Sequence, residues 1–212
     1  MRYTLLLKRD AGVVLLEYHR RRLRPAAGDA GAAAAAALER FAREAAAGVW
    51  AVWTDEAGGL RSESRGGTRL LDGMPVRCVP SPVAGRAGRF PKEPSPSAYD
   101  AVRRAGVATL LTSPDGTEIL EACAAAVAAW DGGAIVVVPA DRPRVWSTAE
   151  EALCDHLKVR EAPILAEGKW PLLLVNAVKG TCAVAVPDRP PFPAEVRAEI
   201  DRLYGSLTIA PE

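Results

Sequence analysis

The chain has 212 residues, 49% of them hydrophobic and 25% charged, and its 27 basic and 26 acidic side chains leave a formal charge of +1. That length supports one large domain or two small ones with real cores, and near-neutrality gives no electrostatic basis for binding nucleic acid or an anionic membrane. No apolar run approaches the ~20 residues that span a bilayer. The opening MRYTLLLKRD is too short for a secretory core and no small-residue cleavage site follows it, so a cytoplasmic protein is expected.

Taken in chain order, Tyr3 to Leu7 and Val13 to Leu16 are apolar runs on either side of the polar KRDAG, a hairpin pattern. The alanine-rich stretch from Asp29 to Ala47 predicts a helix, with Leu38, Phe41 and Ala45 on one stripe and Gly48 as its stop. VWAVW (Val49 to Trp53) predicts a buried strand, EAGG a turn, and Leu60 to Ser64 and Met74 to Pro80 two further strands. Residues 81–97, rich in Pro, Gly, Ser and Ala, predict a linker, and SPSAYDAVRRAG a helix capped by Ser97. From Ala108 to Ala140 the pattern is strand, turn at Pro114-Asp115-Gly116, strand, turn at Asp131-Gly132-Gly133, strand. STAEEALCDHL predicts a helix opening on a Ser/Thr cap with Glu150 and Glu151 in its first turn. PLLLVNAVKGTCAVAV predicts a strand pair broken at Asn176 to Gly180, and PAEVRAEIDRLYG an amphipathic helix with Val196, Ile200 and Leu203 facing in. The sum is an α+β fold of two subdomains, residues 1–84 and 97–212, joined by a linker at 85–96.

No two of Cys78, Cys123, Cys154 and Cys182 stand close enough for a C-x-x-C redox or zinc motif, and His19 and His156 are the sole histidines. Thiols packed as small hydrophobes are expected. Three places fit a plain core less well. Only five of the 27 basic residues are lysines, and one, Lys92, stands among prolines in FPKEPSPSAYD. An amine can lose its proton and condense with a carbonyl, which a guanidinium cannot; the plain alternative is a solvated loop charge. Glu121 opens a ten-residue run, EACAAAVAAW, with no other charge, and burying it requires a cationic or hydrogen-bonding partner; the plain alternative is an exposed strand end. VNAVKG interrupts an apolar strand with Asn and small neighbours, which suits backbone N–H groups approaching an anion or a simple bulge.

The order of these pieces, LLEYHRRRL, then PKEPSPSAYDAVRR, LLTSPDGTEILEA and PLLLVNAVKGTCAV, resembles the class IV aminotransferases, the fold-type IV enzymes dependent on pyridoxal 5'-phosphate (PLP), from Tyr3 to about Val186. That resemblance implies the two-subdomain D-amino acid aminotransferase-like architecture with a shortened N-terminal segment, since the chain opens straight at RYTLLL. It implies Lys92 as the lysine that holds PLP covalently and moves a proton at the substrate, Glu121 as the acid on the pyridine nitrogen, and Arg22 as the arginine on the phosphate. Ser147 and Thr148 match the helix N-terminus that binds the same phosphate; Asn176 and Ala177 match the small-residue turn beneath the cofactor, and Tyr99 falls near the ring. NA followed by an aliphatic is most like aminodeoxychorismate lyase, which releases pyruvate from 4-amino-4-deoxychorismate to leave 4-aminobenzoate, a folate precursor. A transaminase on a small amino acid, and an inactive member acting as a binding subunit, are the alternatives. A homodimer and a small-molecule substrate are implied. RPRVWSTAEE places carboxylates beside the expected phosphate site, which is electrostatically tolerable only if they turn away.

Overall fold

A computed structural model describes residues 2–23, 29–55, 59–66, 71–92 and 97–209. The expected EAGG turn lies largely outside these, as do residues 93–96 of the linker and the Ser97 side chain. The chain opens with the antiparallel hairpin β1 (Arg2–Arg9) and β2 (Gly12–Val14), followed by α1 (Leu16–Leu23) and α2 (Asp29–Glu44). Strand β3 (Gly48–Thr54) pairs with β1 from Arg2 opposite Thr54 to Lys8 opposite Gly48, and β4 (Leu60–Arg65) pairs with β3. Next come β5 (Met74–Pro80), β6 (Arg89–Phe90), the short α3 (Ser97–Val102), β7 (Ala108–Thr112), β8 (Glu118–Ala122), β9 (Ala126–Trp130), β10 (Ile135–Val137) and β11 (Arg144–Val145). The last elements are α4 (Thr148–His156), β12 (Val159–Glu161), β13 (Ile164–Leu165), β14 (Leu172–Asn176), β15 (Gly180–Ala185), α5 (Ala194–Ser206) and β16 (Thr208–Ile209).

The strands form a five-stranded sheet in the order β16-β2-β1-β3-β4, a nine-stranded sheet β12-β10-β9-β14-β15-β5-β7-β8-β13, and a small β11-β6 pair. Sheet membership departs from chain order at both ends: β5 joins the nine-stranded sheet between β15 and β7, and β16 returns to the first sheet beside β2. Helix α2 follows from its alanines, which lose no side-chain entropy in a helix. Its small buried face, Ala34, Leu38 and Ala42, is at most 1% exposed, with Leu38 and Ala42 packing with Leu6 and Val52. Phe41, on the expected stripe, is half-buried and meets the Trp50 ring edge-on at 5.3 Å.

Strand β14 is buried on both faces, as a central strand covered on each side must be. Leu173 and Val175 pack with Leu153 of α4 and Ile200 and Tyr204 of α5, whereas Leu172 and Leu174 pack with Leu110, Val127 and Val136. On α5 the inward residues are Val196, Ile200 and Tyr204, with Leu203 only partly buried.

One expected strand is two. The run from Glu118 to Trp130 turns sharply after Ala122, whose N–H bonds to Ala125 O at 2.9 Å, and resumes as β9 between β10 and β14. Strands third and eighth in the sheet order thus meet at this turn, so the sheet curls. The run has no Gly, Pro, Asn or Asp to mark the break. Cysteines behave unevenly: Cys182 is buried as expected, Cys123 is half-buried, and Cys78 and Cys154 are exposed. No helix among the described residues is long and apolar enough to cross a membrane.

Candidate active site

A cavity of about 570 Å³ opens where the curled sheet faces β1, α1 and the start of α4, and Arg22, Lys92, Tyr99, Glu121, Ser147, Thr148, Asn176 and Ala177 all line it. The structure therefore gathers around one space every residue that the sequence singled out for a site. Lys92 follows β6, which is fixed by parallel pairing with β11. The residue is half-buried, and its Nζ stands 5.8 Å from the centre of the Tyr3 ring. Burial lowers its pKa to about 7, and the charges of Arg22, Lys179 and Arg103 push the same way while Glu121 opposes them. A lysine in this state is a nucleophile at neutral pH.

Glu121 stands near the end of β8, beside the register shift between Leu111 and Thr112. It is 5% exposed. Tyr99 donates its hydroxyl to Oε1 at 2.6 Å, and the Val145 N–H of β11 reaches both carboxylate oxygens at 3.3 Å. Burial raises the carboxyl to about 7 against the pull of these donors and of Arg144. Burial and the neighbouring carboxylate push the Tyr99 hydroxyl up, so it remains a donor.

Arg22 lies in the last turn of α1 and is buried, which lowers its pKa to about 10. The helix that carries it is held at both ends. Leu15, in the left-handed region at φ 55, starts it and donates its N–H to Leu207 O at 3.1 Å. Tyr18 and Arg21 both donate to Asp155 of α4, at 3.1 and 2.9 Å. Behind Arg22, His19 Nδ1 is 2.7 Å from Thr4 Oγ1, and burial with the charges of Arg22 and Lys92 holds the imidazole down to about 3, hence neutral.

Ser147 caps α4, its Oγ accepting the Glu150 N–H at 3.3 Å, so the helix N-terminus with its positive dipole end faces the cavity. Neither neighbouring carboxylate lines the cavity, although Glu151 stays close enough to Arg22 to pull its pKa upward. Glu150 is 2% exposed and accepts two bonds from Arg144, at 2.8 and 2.7 Å, while Glu151 accepts from Arg21 at 3.4 Å. Asn176 shapes its own turn: Oδ1 accepts the N–H groups of Val178 and Lys179 at 2.7 and 3.0 Å, and Nδ2 donates to Ala124 O.

Sequence reasoning missed Arg86, Arg103 and Lys179 as lining residues. Arg103 stands four residues after Tyr99 and continues its helical face, its N–H bonding to Tyr99 O at 3.0 Å. That spacing was the available signal. The other two follow only from tertiary placement.

No family model and no curated protein matches the chain. Solved structures do. A hypothetical aminotransferase from Mycobacterium tuberculosis, known in apo, PLP-bound and alpha-ketoglutarate- and PMP-bound forms, aligns over 100% of this chain and 89% of its own with TM-scores of 0.67–0.68 at 16% identity. The 4-amino-4-deoxychorismate lyase from Pseudomonas aeruginosa aligns over 98% and 91% with TM-score 0.66 at 16% identity. A fold IV transaminase from Curtobacterium pusillum aligns over 97% and 84% with TM-score 0.68 at 17% identity. The chain has the fold of the fold-type IV aminotransferases and lyases.

Proposed function

We propose that this protein is a PLP-dependent enzyme of the fold-type IV class, and within it a lyase that releases pyruvate from 4-amino-4-deoxychorismate. The observation that carries the reading is a lysine amine held near neutrality in the same cavity as a buried carboxylate and a buried arginine. The residues fit the cofactor. The cavity volume is in the range of cofactor sites, a dianionic phosphate suits Arg22 with the N-terminal turn of α4 at Ser147 and Thr148, and neither Glu150 nor Glu151 lines the cavity.

Lys92 would hold PLP covalently through its amine, Glu121 would grip the pyridine nitrogen, Tyr99 would fix the orientation of Glu121, and Asn176 and Ala177 would form the small floor beneath the ring. Bound PLP supplies an electron sink for charge left on the substrate carbon. Once its amine is free of the cofactor, Lys92, with a pKa near 7, would be able to take a proton from that carbon and return it. Glu121, as a carboxylate held by Tyr99 and Val145, would favour a proton on the ring nitrogen. The same reading makes the protein a cytoplasmic homodimer that supplies 4-aminobenzoate, with subdomains 1–84 and 97–212 flanking the site.

A transaminase is the second reading, favoured by the neighbour bound to alpha-ketoglutarate and by the cationic lining of this cavity, which suits a dicarboxylate acceptor. Purified protein mixed with PLP should turn yellow, and borohydride should fix the cofactor to Lys92 in the wild type but not in Lys92→Ala, as read by absorbance and peptide mass. Pyruvate release from aminodeoxychorismate without a keto-acid acceptor supports the lyase; turnover only with an acceptor supports the transaminase. An unreactive, colourless protein overturns both and points to the inactive binding subunit.

A further inference from the structure

Two arginines stand side by side in the smallest sheet. Arg144 of β11 is the register partner of Arg89 of β6, as Val145 is of Phe90. Like charges at facing positions of a strand pair repel, and strands of two residues have few ladder bonds to resist it. Glu150 of α4 answers both charges. Its carboxylate accepts two bonds from Arg144, at 2.8 and 2.7 Å, and stands 3.7 Å from Arg89 Nη1. The Arg144 and Glu150 side chains are 1% and 2% exposed, whereas that of Arg89, the looser arm, is 32% exposed.

Each element that meets at this carboxylate carries one end of the site. Lys92 follows β6 by two residues. Strand β11 presents the Val145 N–H to both oxygens of Glu121 at 3.3 Å, and just beyond it the Trp146 N–H returns to Phe90 O of β6 at 2.8 Å. Helix α4 begins at Ser147, whose hydroxyl accepts the N–H of Glu150 itself. These are three separate pieces of chain, and the Glu150 carboxylate is a point common to all of them. Glu150 does not line the cavity, so it acts there only through its partners. Apolar side chains of similar volume would fill the same space without the desolvation cost of a buried ion pair, but they would not fix direction.

We propose that Glu150 is a positioning residue whose carboxylate, through Arg144 and Arg89, sets the spacing of Lys92, Glu121 and the N-terminus of α4. That these three hold a cofactor rests on the PLP reading; that Glu150 sets their spacing does not.

Native-state hydrogen exchange of the ligand-free protein tests it. Arg144→Met with Glu150→Leu keeps the volume and discards the directional bonds. In that variant the Val145 and Trp146 amides should exchange about tenfold faster than in the wild type, while the amides of β14 stay within about twofold. Arg89→Gln changes a partly solvated residue and removes only the β6 arm; it should speed Trp146 by about threefold and leave Val145 unchanged. It decides the matter should the double variant not fold. The second readout is calorimetric titration of inorganic phosphate into Glu150→Gln, shown to be folded by circular dichroism. Loss of a negative charge near an anion site would tighten phosphate by Coulomb's law alone, whereas loss of positioning should weaken it by about tenfold. Wild-type protection of Val145 and Trp146 in the double variant, faster exchange shared equally by β14, an unchanged Trp146 in Arg89→Gln, or phosphate bound by Glu150→Gln as tightly as by the wild type overturns the proposal. A wild type that takes up neither PLP nor phosphate overturns the cofactor reading alone, and the exchange rates then decide for Glu150.

Discussion

Glu121 holds a carboxyl that burial moves from 4.5 to about 7. The unfolded chain titrates at the lower value, so folding takes up a proton between the two, and the stability tied to the protonated form is complete below 4.5 and lost as pH rises through 7. Glu121→Gln keeps an acceptor for Tyr99 and Val145 and removes the charge. In the cofactor-free protein it should gain stability over the parent above pH 7, by at most about 3 kcal/mol, and gain none below pH 4.5; urea titrations on both sides of the window read the difference. Lys92 shifts the opposite way, from 10.5 to about 7, so its neutral form costs nothing above 10.5 and the penalty is full once pH falls through 7. Lys92→Met should therefore raise the melting temperature of cofactor-free protein most below pH 7, with the advantage shrinking toward pH 10.5. Both residues were legible in the sequence because each broke a local rule: a lysine in an arginine-using chain, and one carboxylate in an alanine run. Arg103 and Lys179 broke none, since a charge in AVRRAG or VKG is what any solvated helix end or turn contains.

Strand β11 is two residues long, yet it positions much of the site. Val145 gives its N–H to Glu121, and Arg144, 1% exposed, forks onto Glu150 and reaches Val138 O at 2.5 Å. Removing one member leaves the other charged and buried, so Arg144→Met or Glu150→Gln should each cost about 3–5 kcal/mol, whereas Arg144→Met with Glu150→Leu should recover most of that loss. Chemical denaturation of the three variants measures it. Elements this short have no periodicity to detect, which is why β6, β11, β12, β13 and β16 were invisible in the sequence while α2, α4, α5 and the β14–β15 pair were plain. Helix α3 was legible only in part. Its predicted run reached Gly106, but it stops at Val102 and the chain turns back with Arg104 bridging Val107. Helix α1 was missed: its three arginines, polar on most sides, carry little amphipathic signal, and contacts with α4 and β16 decide its place.

At the scale of the whole molecule, the sheets meet around the cavity, and the last strand clasps the first sheet. Thr208 pairs with Val14, and Leu207 O receives the N–H of Leu15, the strained residue that launches α1. Ending the chain at Ser206 removes these bonds, and at about 1 kcal/mol for each of two or three hydrogen bonds the melting temperature should drop by roughly 4–10 °C. Affinity for inorganic phosphate should fall with it, because Arg22 rides on that helix; calorimetry reads both. The clasp also orders events in time. On the ribosome α1 emerges well before its anchor at Leu207, so the arginine waits while the elements between them are made. Contacts this distant in sequence form slowly, and pulsed hydrogen exchange during refolding should find the amides of β9 and β14 protected before those of α1. The proposed anion site thus ripens after the sheets, and a chain made only as far as β15 would have strands in place without the grip proposed for a phosphate.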